Sequence, residues 1–132
     1  MSSKLINPEV LGAPSGYSHG VLTDGGGKLL FIAGQIAVDK ENRIVSDDIV
    51  EQFDRALANV LVVLNAAGGK PENVTRMVIY VTDKIAYRNH SREIGKCYQK
   101  HMRKHFPAMV LVQVVALLDH AAKVEIEAMA VI

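Results

Sequence analysis

Near the C-terminus Lys123, Glu125 and Glu127 alternate with Val124, Ile126 and Ala128. A two-residue period of this kind predicts a strand with one face on a core and the other facing something wetter. Residues 106–116 are nearly all apolar, the pattern of a strand covered on both faces, by helices on one side and by another subunit on the other. Earlier in the chain the period lengthens. Phe53, Leu57, Val60, Leu61 and Leu64 recur at helical spacing behind Asp48 and Glu51, which are placed as a capping box. Gly68-Gly69 and then Pro71 stop that helix. Residues 75–82 alternate Met77, Ile79 and Val81 with Arg76, Val78 and Tyr80, β-branched and aromatic types that suit a strand. A second helix is predicted over 86–104, with an apolar stripe through Ile94, Cys97 or Tyr98, and His101 or Met102.

At the other end, Pro8, Gly12, Pro14 and Gly16 predict an extended arm over 1–19. Val21-Leu22-Thr23, the turn Asp24-Gly25-Gly26-Gly27 and the apolar run 28–33 together predict a hairpin. The expected order is β-β-α-β-α-β-β, an α+β arrangement in which two helices cover one face of a mixed sheet, as a single domain over 1–132. The uncovered sheet face then calls for a partner.

Composition narrows this picture. With 49% hydrophobic residues, three Phe and no Trp, the core must be aliphatic, and surplus apolar surface is expected to enter an oligomer interface. A net charge of +1 supplies no drive toward nucleic acid or membrane. Cys97 is the sole cysteine, which excludes an internal disulfide and fits a reducing compartment. No apolar run reaches the length of a signal peptide or a membrane span, so a soluble cytoplasmic protein is expected.

Several chemistries are weakly served. The glycine run precedes a strand, whereas a phosphate loop needs a helix directly after it. His101 and His105 have the spacing of paired helical metal ligands, but no Cys or carboxylate stands at a recognisable third position, so no metal or other cofactor is expected. Cys97 has basic neighbours, yet its place near the apolar stripe favours an inert thiol. Arg88, Arg92, Lys96, Lys100 and Arg103 make one helix side basic, interrupted by Glu93. That side reads as a solvated face or, more sharply, as an anion or RNA contact surface.

Three stretches carry a resemblance. Phe106-Pro107-Ala108 with the following apolar strand and Val124-Glu125-Ile126-Glu127-Ala128, Gly16-Tyr17-Ser18-His19, and Ala33-Gly34-Gln35 occur in that family's order along the chain and resemble the RidA/YjgF family of small deaminases, also called the L-PSP endoribonuclease family. The resemblance implies a chorismate-mutase-like trimer whose sheets form a central barrel, with small-molecule pockets in the clefts between subunits. It further implies hydrolysis of an enamine or imine with release of ammonia, Tyr17 lining the pocket, Glu125 holding the water, and Gly34, Gly95 and Leu111 among the substrate-binding positions.

The chain departs from the family pattern at Met109, where active deaminases carry an arginine that grips the substrate carboxylate through two parallel hydrogen bonds. Leu117-Leu118 likewise stands where relatives have Leu-Pro, and Gly95 where they often place asparagine. With Met109 the pocket should prefer a more apolar ligand, or else Arg76, Arg103 or Lys104 reaches the cleft from elsewhere. The enzymatic reading, with altered substrate preference, stands beside a non-catalytic ligand-binding protein and, with less support, an RNA-acting ribonuclease or translation inhibitor.

Overall fold

A computed structural model describes residues 3–24 and 26–132. Gly25, part of the expected glycine turn, and the first two residues of the arm lie outside the described residues. The main sheet contains β3 (Leu29–Gln35), β4 (Val74–Val81), β5 (Ala108–Gln113) and β6 (Val124–Val131), in the order β3-β6-β4-β5. Only β4 and β5 run parallel, so the sheet is mixed and the protein α+β. The parallel pair needs a crossover, which α2 (Lys84–Asn89) and α3 (Ser91–Met102) provide, while α1 (Ile49–Ala66) links β3 to β4.

The period-two reading of β6 matches the burial: Val124, Ile126, Ala128 and Ala130 are buried, and Glu125, Glu127 and Met129 are half-buried on the other face. Phe53, Leu57, Val60 and Leu64 of α1 pack with them and with Met77, Ile79 and Val81 of β4 into one aliphatic core. Asp48 caps α1 by accepting from the Glu51 amide at 3.0 Å. At the other end Gly68 takes a φ of 84°, and the Gly69 amide donates to the Leu64 carbonyl at 2.9 Å, closing the last turn.

Two expectations are corrected. The segment 21–33 is not a hairpin. Instead β2 (Gly20–Thr23) pairs with β1 (Ser3–Ile6), while β3 pairs with β6. A glycine turn between two strand-like runs says nothing about which edges they take, and the arm supplies β2 with its backbone partner. The second helix is two helices broken at His90, so three helices pack on the sheet. His90 leaves helical geometry at φ −110° and ψ 19°, and its Nδ1 lies 2.8 Å from the Ala86 carbonyl oxygen, closing α2 before α3 begins. As the sequence pattern implies, helices cover one face of β5. Met109 and Leu111 pack toward the core, whereas Val110 and Val112 stand exposed on the helix-free face with Leu29 and Phe31 of β3.

Candidate functional site

The sheet register places the predicted site residues on two opposite faces. Met109 lies beside Met77, which lies beside Ala128, a row that faces the helices. Glu125 lies beside Tyr80, which lies beside Val112, a row that faces away from them. Within one chain these half-sites therefore cannot converge.

On the helix side a cleft of about 390 Å3 runs between α3 and the base of β5, with Gly95, Tyr98 and Phe106 in its wall. Through Gly16, Ile79, Tyr87, Ser91 and Met109 it continues into a wider space of about 680 Å3 that reaches Tyr17, Leu111 and Gln113. Several local contacts hold this groove. The Ser18 amide donates to the Pro107 carbonyl at 3.0 Å and its hydroxyl to the Phe106 carbonyl at 2.6 Å, which fixes Tyr17 beside the start of β5. The Lys84 amide donates to Gln113 Oε1 at 2.8 Å, tying the start of α2 to the end of β5. Tyr98 stacks on Phe106 with centroids 5.2 Å apart and donates its hydroxyl to the His105 carbonyl at 2.6 Å. Burial pushes the Tyr98 and Tyr87 phenols up, so both act as neutral walls.

On the helix-free side Glu125 sits against Gly34 in a cleft of about 560 Å3 that also involves Gln35, Asn42, Leu118 and Asp119. A Cβ at Gly34 would lie 2.9 Å from the Glu125 Cδ and closer still to Oε2, so only glycine leaves room for the carboxylate. The strand is irregular here, with a register shift between Ile32 and Gln35. Next to Glu125, the Tyr80 hydroxyl donates to Glu127 Oε1 at 2.5 Å, and that bond together with burial raises the Tyr80 pKa.

The replacement cations expected from sequence do not all arrive. Arg76 borders a small recess with Tyr17, His19 and Met109. Arg103 and Lys104 instead edge a separate surface hollow beside Glu72 and His105, because the chain turns out of α3 at Arg103 with φ 58°. The cations that do border the groove are Lys84, Arg88, Arg92 and Lys96. Their four-residue spacing is visible in the sequence, but which side of the helices overlooks β5 is not. The pair His101 and His105 also separates: His101 Nε2 lies 2.8 Å from Asp54 Oδ1 on α1, and His105 Nε2 lies 2.7 Å from the Val74 carbonyl. Among the described residues no cluster of three or more metal-ligating side chains occurs. Cys97 is half-buried, and burial, then Asp54, raises its pKa, which leaves it a poor nucleophile. Among the described residues no helix is long and apolar enough to cross a membrane.

A mixed sheet with helices on one face, exposed apolar residues on the other and clefts along its edges defines a class of small α+β proteins. The sequence pattern of the Endoribonuclease L-PSP family matches residues 9–132, and the chain belongs to that family, the RidA/YjgF family. It is 32% identical over 121 residues to the human 2-iminobutanoate/2-iminopropanoate deaminase, covering 91% of this chain and 82% of the relative. The crystal structure of YyfB, a Rid-family protein of Yersinia pestis, superposes with a TM-score of 0.88 at 31% identity, covering 100% of both chains. TdcF of E. coli with bound serine superposes with a TM-score of 0.70 at 30% identity, covering 92% of this chain and 91% of that one.

Proposed function

We propose that this protein is a cytoplasmic RidA-type deaminase that hydrolyses a small, reactive enamine or imine in a cleft between two subunits of a homotrimer. The observation that carries this reading is the seat of the Glu125 carboxylate over Gly34, on the helix-free sheet face, where Leu29, Phe31, Val110 and Val112 are left exposed by the protomer. Exposed Leu29, Phe31, Val110 and Val112 make that face a subunit interface, and packing there brings Gly34 and Glu125 of one subunit to the groove of Tyr17, Gly95, Met109 and Leu111 on its neighbour.

The chemistry asked of these residues is limited. An enamine first tautomerises to its imine, gaining a proton at carbon and losing one from nitrogen. Water held by Glu125 attacks the imine carbon, and the carboxylate takes the proton that water loses. That proton passes to nitrogen to give the carbinolamine, and the carboxylate then relays the carbinolamine's hydroxyl proton to the nitrogen as the C–N bond breaks, so that ammonia leaves and the carbonyl forms. The Tyr17 hydroxyl orients the substrate at the mouth of the groove. Met109 cannot make the paired hydrogen bonds of a guanidinium, so the substrate carries hydrocarbon where the arginine-bearing relatives hold a carboxylate.

Ammonia release from a panel of imines generated in solution, with Glu125→Gln as control, tests the reading. Turnover that the variant loses supports it, and no turnover of any imine by a folded trimer refutes it. A second reading, ligand binding without turnover, is favoured by Met109 and would leave ligand affinity intact in such a trimer. RNA binding draws only on the basic helices, and an affinity that falls steeply with salt would reveal it.

A further inference from the structure

Lys84, Arg88, Arg92, Lys96 and Lys100 follow one another at four-residue spacing along α2 and α3. The last of them is neutralised: Lys100 Nζ lies 2.7 Å from Asp54 Oδ1. The first four border the groove, Lys84 and Arg88 its outer part, Arg92 and Lys96 its inner part. Among the described residues no carboxylate pairs with any of these four, and neither part of the groove contains an Asp or Glu. Lys84 and Arg88 stand one turn apart on α2, as do Arg92 and Lys96 on α3; like charges so placed repel, and an anion seated in the groove beside them offsets that cost. The remainder of the groove is apolar or neutral, with Ile79, Tyr87 and Met109 common to both parts.

We propose that Arg88 and Arg92 form a relocated anion grip, which holds the carboxylate of a substrate whose C=N group is set apart from that carboxylate by a short hydrocarbon stem lying on Ile79, Tyr87 and Met109. This inference rests on the deaminase reading of the site and names its substrate class, a carboxylate-tailed imine or enamine in place of a compact imino acid. A guanidinium is suited to the role because its planar fork meets both carboxylate oxygens. Met109 is then the flexible apolar bed on which stems of differing shape can rest.

Calorimetric titration of the intact protein with hexanoate, acetate and hexanamide tests the grip without relying on turnover. Hexanoate should bind about tenfold or more tightly than either acetate, which lacks the stem, or hexanamide, which lacks the charge. Added salt should weaken hexanoate and leave hexanamide unaffected. The double variant Arg88→Gln/Arg92→Gln should lose the hexanoate preference, and Lys100→Gln, whose cation is engaged by Asp54, should keep it. Equal affinity for hexanoate and hexanamide in the unaltered protein, absence of hexanoate binding, or full hexanoate affinity in the folded double variant would each overturn the proposal. Arginine-dependent hexanoate binding by a protein that hydrolyses no imine would refute the deaminase reading and leave the grip standing. Turnover of carboxylate-tailed imines that is indifferent to both arginines would do the reverse.

Discussion

The Glu125 carboxylate occupies the space that a side chain at Gly34 would need, with Cδ only 2.9 Å from where a Cβ would stand. The two residues belong to neighbouring antiparallel strands, β6 and β3, at the point where their register shifts. Replacing Gly34 with alanine should swing the carboxylate away from its seat. Because Glu125 is flexible and half-buried, stability should change by less than about 1 kcal/mol, whereas ammonia release should fall by about tenfold or more. Thermal melting beside single-turnover assays separates the two effects.

Met109→Arg should supply the carboxylate grip that the family resemblance implies for active deaminases. A charge-assisted contact of this kind contributes about 1.5–3 kcal/mol, so kcat/KM toward compact imino acids should rise by about tenfold or more. No gain in a folded variant would mean that the rest of the pocket does not accept such substrates.

The helix-free sheet face should carry the assembly. Phe31 is 67% exposed in the protomer and lies beside Met129 of β6, so Phe31→Glu would place a carboxylate in the proposed interface. Sedimentation should then report monomers, and activity should fall with assembly because Glu125 and Met109 lie on opposite faces of each chain. Retention of the trimer by this variant would contradict the proposed interface.

Gly69 is a test of packing. A Cβ there would meet Leu64 Cδ1 at 2.6 Å and Ile132 Cδ1 at 2.9 Å, joining the end of α1 to the end of the chain. Gly69→Ala should cost about 1–3 kcal/mol through overpacking. Urea denaturation should register this as a lower midpoint with an unchanged slope.

Asp54 links α1 to α3 through Lys100 at 2.7 Å and His101 at 2.8 Å. Burial pushes its carboxyl up, but the hydrogen bonds from Lys100 and His101 outweigh burial and hold it below the ordinary value of 3.8. A depressed folded pKa contributes stability that is present above the unfolded pKa and lost as pH falls through the folded one. Asp54→Asn should therefore cost about 0.5–1 kcal/mol at neutral pH, a surface-screened figure. In urea titrations its deficit relative to the unaltered protein should shrink as pH drops below about 4.

Most of the elements and their buried faces are legible in the order of residues. Val124, Ile126 and Ala128 alternate with carboxylates because one side of β6 meets a core, and Phe53 through Leu64 recur as they do because one side of α1 meets the same core. Such periods are local, and burial imprints them on each element separately. The motifs around Tyr17, Gly34 and Glu125 were legible only through the resemblance to the RidA/YjgF family, since no period of the chain marks them out.

Tertiary structure alone decided how the elements share edges and faces. That β2 pairs with the arm and not with β3 follows from which backbone edge is free in space. The break at His90 depends on one ring nitrogen reaching the Ala86 carbonyl, which no period announces. Above all, alternation within a strand tells which of its residues share a face, but not how that face aligns with the next strand. Only the register Met77–Met109 and Tyr80–Glu125 divides the site between opposite sides of the sheet, and only the path of α2 and α3 over β5 turns Arg88 and Arg92 toward the groove. Register and helix path are set by contacts between residues far apart in the chain, so their physical cause lies in the packed whole.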